Sequence, residues 1–178
     1  IIKNLDSKRD IQIATASYGH RIALSPIETV RALAILANGG KLVIPHLVNK
    51  IEYTDGTSEN IKPETKQVIT SQTAEEVTRM LIKVVDESLK KGQVKMEHYS
   101  IAAKTGTAQI ANPAAKGYYE DRYLHSFFGY FPAYNPRFIV FLYHVNPKNV
   151  EYASETLTDP FIQITKFLIN YYEIPPDR

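Results

Sequence analysis

Tyr99-Ser100-Ile101-Ala102-Ala103-Lys104-Thr105-Gly106-Thr107-Ala108-Gln109-Ile110 gathers small, hydroxylated and β-branched residues around a single cation. Apolar residues flank the run, and Asn112-Pro113 opens the next segment. It reads as a strand. Alternation puts Thr105 and Thr107 on one face and Lys104 and Gly106 on the other. Gly106 has no side chain, which lets a ligand backbone lie close against the strand. One ammonium, two hydroxyls and exposed backbone N–H groups suit a carboxylate or a developing oxyanion. As a bare tripeptide, Lys-Thr-Gly is commoner in solvated loops than in sites. Nor is it a phosphate-binding loop, in which the glycine precedes the lysine and a helix comes next.

The neighbouring segments give the strand its setting. Residues 111–123 read as a loop containing Asn112-Pro113, Gly117, Tyr118-Tyr119 and Glu120-Asp121-Arg122. The adjacent carboxylates Glu120 and Asp121 lack any further ligand pattern and read as solvated. Residues 124–131 and 137–145 are two strands joined by Pro132-Ala133-Tyr134-Asn135-Pro136. The second is apolar on both faces, as in a strand covered by helices on each side. With the Lys-Thr-Gly strand they predict a three-stranded antiparallel meander. The Lys-Thr-Gly strand is its edge, with backbone donors open to strand addition by an extended peptide. A helix follows Asp159-Pro160, with Phe161, Ile164, Leu168, Tyr171 and Tyr172 on one face.

Upstream, residues 1–18 are polar and irregular, with a brief strand at most around Ile11, Ile13 and Ala16. The start, Ile1-Ile2-Lys3-Asn4, reads as a cut edge. Ser25-Pro26-Ile27-Glu28 is a strong helix start: serine cap, proline at the first position, and glutamate completing a capping box. Ile27, Val30, Leu33 or Ala34, and Ala37 recur at helical spacing. The nearly all-apolar run 32–37 predicts deep burial. Gly39-Gly40 ends this helix. Arg31 reads as reaching a helix-end carbonyl or a carboxylate, or else anchoring a ligand. Residues 41–53 are two short strands broken at Pro45, with a turn at Asp55-Gly56 and a charged edge partner over 60–69. A second helix starts at Ser71 or Thr73 and carries Val77, Met80, Leu81, Val84, Val85 and Leu89 inward. Lys90-Lys91 and Gly92 close it.

Composition bounds the function. With 178 residues, 44% hydrophobic and 22% charged, the chain is one domain's worth of ordinary globular sequence. A net charge of +2 gives no case for nucleic acid or a membrane surface. The absence of cysteine rules out disulfides and thiolate metal sites. No apolar run is long enough to cross a bilayer, so an anchor is expected outside this chain. Five histidines are scattered without metal-ligand spacing, so no metal and no cofactor is assigned.

Ala103-Lys104-Thr105-Gly106-Thr107-Ala108-Gln109 resembles the third signature of penicillin-binding proteins, whose companions are Ser-x-x-Lys and a middle Ser-x-Asn. Gly19-His20-Arg21-Ile22-Ala23-Leu24-Ser25-Pro26, Ala37-Asn38-Gly39-Gly40 with Pro45-His46-Leu47-Val48, and Ser126-Phe127-Phe128-Gly129-Tyr130-Phe131-Pro132-Ala133 resemble other family segments in the family's order. The likeness is nearest to the monofunctional class B enzymes. It implies an α+β fold, an antiparallel sheet flanked by helices as in β-lactamases and transpeptidases. It makes residues 1–178 the C-terminal half of such a domain, with a small β excursion at about 41–69.

The resemblance also implies roles. Lys104 supplies positive potential and assists proton transfer. The Thr105 and Thr107 hydroxyls hold the terminal carboxylate of a D-Ala-D-Ala stem peptide or of a β-lactam, and the Thr107 N–H is one oxyanion donor. Gly106 and Gln109 complete the substrate strand, and Tyr118 or Tyr119 either contacts substrate from the following loop or packs that loop down. His20 and His125 fall near the cleft and read as structural. Neither Ser-x-x-Lys nor Ser-x-Asn is read in these residues; both are expected earlier in the polypeptide, so the chain alone is expected to be inactive. Implied partners are the missing N-terminal half and proteins of the division or elongation machinery. The implied location is the outer face of a bacterial cytoplasmic membrane. Ala103 for the usual glycine, Arg21, and His144-Val145-Asn146-Pro147 depart from the family pattern. A β-lactam sensor and a non-catalytic scaffold module are the competing readings.

Overall fold

In the computed structural model the described residues are 9–17, 22, 24–115 and 117–178. His20, Arg21 and the first four residues lie outside them. The central element is a meander of β5 (Ala102–Asn112), β6 (Gly117–Phe131) and β7 (Phe138–Val145), antiparallel and in that order, so the Lys-Thr-Gly strand is an edge of this sheet. Helices cover both faces. The α+β expectation, an antiparallel sheet flanked by helices, is met.

Each face of the sheet has its own core, set by strand alternation. On one side Ala103, Phe127 and Phe131 pack with Leu157, Phe161, Ile162 and Ile169 of α4 (Ala153–Tyr171). Phe127 and Phe161 stack with ring centroids 4.4 Å apart. Full burial of each ring stabilises by about 2–3 kcal/mol. On the other side Ala102, Phe128 and Tyr130 meet Leu33 and Leu36 of α2 (Pro26–Ala37) and Leu81 and Ile82 of α3 (Ser71–Lys83). Partly buried residues of β7 pack against both clusters, Phe138, Val140 and Leu142 against the first and Ile139 and Phe141 against the second. That is the two-faced burial its sequence predicts.

Helix α2 starts as read, with the Ser25–Glu28 capping box formed in both directions. Its expected deep burial is not found. No residue of α2 is fully buried, because apolar side chains run round it while only one side meets the sheet and α3. The buried Nε of Arg31 has no hydrogen-bond partner among the described residues, although its charge is near enough to Glu28 to help hold that carboxyl low. At the other end, Gly39 and Gly40 take φ of 61° and 88°. A Cβ at Gly40 would lie 2.2 Å from the Ile69 carbonyl oxygen.

Residues 41–67 form two short ladders. Strand β1 (Lys41–Val43) pairs with β4 (Thr65–Gln67), and β2 (Lys50–Glu52) with β3 (Ser58–Asn60) around the Asp55-Gly56 turn.

Several expectations need correction. The segment read as loop or strand near the start contains a helix, α1 (Asp10–Ala16). Ile11 and Ile13 alternate, but no described strand pairs with them, and both stay exposed at 64% and 53%. Helix α3 is capped by Thr70 rather than Ser71 or Thr73, the Thr70 hydroxyl accepting the Thr73 N–H at 3.0 Å. Its inward side carries Ala74 and Thr78 while Met80 faces out, because two small residues let α3 approach the sheet closely. Beyond α3 the chain makes a π-helical turn (Val84–Ser88) and a tight turn (Leu89–Gly92) in which Lys90 and Lys91 take positive φ. Lys90 ion-pairs with Asp159 on α4, a specific partner rather than a general complement to the helix dipole. Helix α4 begins at Ala153, well before Asp159-Pro160, and takes Pro160 into its interior.

Candidate active site

Strand β5 carries the proposed group in one stretch. Register pairs Lys104 with Phe128, Thr105 with Phe127, Gly106 with Ser126 and Thr107 with His125. Thr105 and Thr107 therefore share the α4 face, and Lys104 and Gly106 the face toward α2 and α3. Lys104 is exposed, and its Nζ donates to the Thr105 carbonyl oxygen at 2.8 Å. Thr107 is exposed as well, with its Oγ1 accepting the Ala153 N–H at 3.0 Å. No described strand pairs with the outer edge of β5. An edge of this kind offers main-chain hydrogen bonds to an extended peptide.

Gly106 has a reason the sequence did not supply. A Cβ there would lie 2.6 Å from Ser126 Oγ, so the glycine makes room for its cross-strand neighbour. Gln109 is exposed on the same strand, opposite Tyr123. Tyr118 is half-buried opposite Ala111, four residues and so roughly 13 Å along the strand from Thr107. The segment read as a loop between them is a two-stranded ribbon. Asn112 closes it, its Oδ1 accepting the Ala114 and Ala115 N–H groups at 3.0 and 3.3 Å, the local bonding that suits asparagine to turns. The Tyr119 ring is engaged by the Arg122 guanidinium, 4.0 Å from its centroid. Glu120 and Asp121 are exposed, as read.

His125 is fully buried. Its Nδ1 lies 2.8 Å from Thr156 Oγ1, and its Nε2 lies 2.8 Å from the Glu151 carbonyl oxygen. A structural histidine is what the sequence suggested; its partners were not legible there. Among the described residues no group of three metal-ligating side chains occurs. An open cleft of about 400 Å³ lies between Asp121 and Tyr123 of β6 and residues 147–151. None of Lys104, Thr105 and Thr107 lines it.

The assignment of no serine motif requires a correction of letters. Ser88-Leu89-Lys90-Lys91 spells Ser-x-x-Lys, and Ser58-Glu59-Asn60 spells Ser-x-Asn. Neither has the required setting. A serine and its lysine base must meet across one helical turn. Ser88 instead ends the π-helical turn, and Lys90 and Lys91 have φ of 46° and 57°. Ser58 to Asn60 are exposed residues of β3.

A family model described as "Penicillin binding protein transpeptidase domain" matches residues 3–166. The chain belongs to this family. The penicillin binding protein transpeptidase domain is thus the setting in which Lys104-Thr105-Gly106 stands, and the family suggested by that signature is the one found. Stage V sporulation protein D of Bacillus subtilis is 29% identical over 167 residues, covering 91% of this chain and 25% of the relative. Penicillin-binding protein PbpB of Mycolicibacterium smegmatis is 30% identical over 166 residues, covering 88% and 26%. The chain spans about a quarter of the length of these curated relatives. Among solved structures, apo penicillin binding protein 3 of Mycobacterium tuberculosis superposes with a TM-score of 0.81 at 25% identity, over 98% of this chain and 41% of that one. The same protein complexed with aztreonam superposes at 0.74, with 26% identity, over 90% and 38%.

Proposed function

We propose that this chain is the C-terminal portion of a class B transpeptidase domain, and that the protein containing it cross-links peptidoglycan stem peptides through a serine acyl-enzyme and binds β-lactams. The observation that carries this reading is the edge of β5, paired with no strand among the described residues, presenting Lys104, Thr105, Gly106 and Thr107 within a transpeptidase-family chain. Relatives named peptidoglycan D,D-transpeptidases support the reaction class. A neighbour solved with ampicillin supports the ligand class.

Each residue then has a role. The Lys104 ammonium lowers the energy of negative charge near the reacting carbonyl. The Thr105 and Thr107 hydroxyls hold the terminal carboxylate of D-Ala-D-Ala, the stem peptide pairs along β5 as far as Gln109, and Tyr118 borders its far end. The Thr107 N–H polarises the carbonyl under attack, an interaction worth about 3–4 kcal/mol in comparable oxyanion holes. Serine, base and second oxyanion donor come from the N-terminal half, so the chain alone forms no acyl-enzyme. The small ladders at 41–67 stand apart from this chemistry. The working location is the outer face of a bacterial cytoplasmic membrane, with the anchor supplied elsewhere and cell-wall synthesis proteins as partners.

The test is covalent labelling of the full-length protein by a fluorescent penicillin. Labelling that prior exposure to an unlabelled β-lactam blocks, and that Lys104→Ala weakens strongly, is expected. A full-length protein that takes no label is a scaffold, and the reading falls.

A further inference from the structure

Thr107 is tied to a part of the chain 46 residues away. Its Oγ1 accepts the Ala153 N–H, and Ala153 opens the 19-residue α4. That N–H is one of the donors a helix leaves without an internal acceptor. A threonine hydroxyl has one proton to give and two lone pairs. With a lone pair engaged by a donor at the positive end of a helix dipole, the hydroxyl is polarised toward giving its own proton to an anion.

Beside Thr107 in the register sits His125, at 0% exposure. A carbonyl oxygen only accepts, so the Nε2 facing Glu151 carries the proton. In that tautomer Nδ1 accepts from the Thr156 hydroxyl at 2.8 Å, the shorter of that hydroxyl's two bonds, the other running 3.4 Å to the Ala153 carbonyl oxygen. The two bonds bracket Ala153, one before it and one after. The imidazole thus grips both sides of the turn that delivers the Ala153 N–H.

We propose that His125 is a positioning residue for Thr107. By pinning residues 151–156 to β6 it sets the direction of the Ala153 N–H, and through that N–H it aims the Thr107 hydroxyl at a bound carboxylate. His125 touches no substrate. The role rests on the transpeptidase reading above and extends that site from one strand to the β7–α4 connection.

The experiment is a time course of fluorescent-penicillin labelling on the full-length protein. The end point counts folded sites, whereas the rate constant reports how well each site is aimed. His125→Phe keeps a ring and removes both hydrogen bonds. Its rate constant is expected to fall about tenfold to a hundredfold, the scale of loss from a small misplacement of a reacting group, at a wild-type end point. His125→Gln, which keeps an amide donor toward Glu151, is expected to recover most of that rate. In parallel, hydrogen exchange of the Ala153 amide is expected to quicken in His125→Phe while the Phe127 amide keeps its protection.

A wild-type rate constant, a lowered end point with an unchanged rate, or unaltered Ala153 exchange each overturns the role. If His125→Phe does not accumulate, Thr156→Val removes the Nδ1 bond together with the longer 3.4 Å bond from the Thr156 hydroxyl to the Ala153 carbonyl oxygen. It is then expected to slow labelling and quicken Ala153 exchange, and wild-type values of both overturn the proposal. A wild-type protein that takes no label overturns the transpeptidase reading itself, and Ala153 exchange still decides whether His125 holds the turn.

Discussion

Gly129 packs against Phe161 with no room for a side chain between them. A Cβ at Gly129 would lie 2.5 Å from Phe161 Cζ and 2.7 Å from Ala103 Cβ. The contact seats α4 on the sheet directly opposite the residue that precedes Lys104. Neither neighbour yields cheaply, since the ring is stacked on Phe127 and Ala103 is fully buried. Gly129→Ala is expected to cost at least about 1–3 kcal/mol by overpacking. The measurement is the apparent Tm of the full-length protein, and a wild-type value would mean that α4 is not seated there.

Thr78 and Tyr130 make an asymmetric pair. Their hydroxyl oxygens are 2.6 Å apart in the core, and Thr78 also donates to the Ala74 carbonyl oxygen at 2.8 Å. Tyr130→Phe leaves Thr78 with that second partner, so the expected loss is about 1 kcal/mol. Thr78→Val strands the buried phenol, with an expected loss of about 1–3 kcal/mol. Denaturation of the two variants side by side checks the order, and equal losses would contradict the assigned partners.

What the sequence made legible was local. Ser25, Pro26 and Glu28 specify the start of α2 within four residues, and Asp55-Gly56 specifies its hairpin. The meander was legible from the alternation of β5 and the two-faced apolar character of β7. The start of α4 was not legible, because two of its determinants lie elsewhere in the fold. The Ala153 N–H is satisfied by Thr107, and Asp159, which with Pro160 imitates a cap, is turned to Lys90. Lys104, Thr105, Gly106 and Thr107 were all named from the motif. The motif did not show that Thr107 faces α4 or that Gly106 answers to Ser126, since both come from register.

Gly106 and Ser126 give that register a direct test. Gly106→Ala drives a methyl into Ser126 Oγ, 2.6 Å from the ideal Cβ position, and is expected to cost about 1–3 kcal/mol. Ser126→Ala removes the obstructing oxygen. The double variant is expected to regain more than half of the loss, a coupling that a double-mutant cycle on denaturation reads directly. Strict additivity would show that the two positions do not face each other.

The α2 capping box predicts a pH dependence. Hydrogen bonds from the Ser25 N–H, and then from its hydroxyl, hold the Glu28 carboxyl below its usual range. A carboxyl depressed on folding stabilises above its unfolded pKa, and the contribution is lost as pH falls through the folded value. Glu28→Gln is therefore expected to lower the apparent Tm at about pH 7 and to converge on wild type as pH falls through the folded value of Glu28, where both side chains are neutral. A Tm gap that persists in acid would assign the effect to packing instead.

Lys104 separates stability from chemistry. It is exposed, and its one hydrogen bond among the described residues goes to the neighbouring Thr105 carbonyl oxygen, so the fold gains little from it. Lys104→Ala is expected to leave stability within about 0.5 kcal/mol, as for other surface positions. A group that stabilises developing negative charge is different, because its loss typically slows reaction by about 10²–10³-fold. Penicillin labelling of the full-length variant is expected to slow by that order while its Tm stays at the wild-type value. If Tm and labelling fell together, Lys104 would be a structural residue. If neither moved, β5 would not be the strand that grips the ligand.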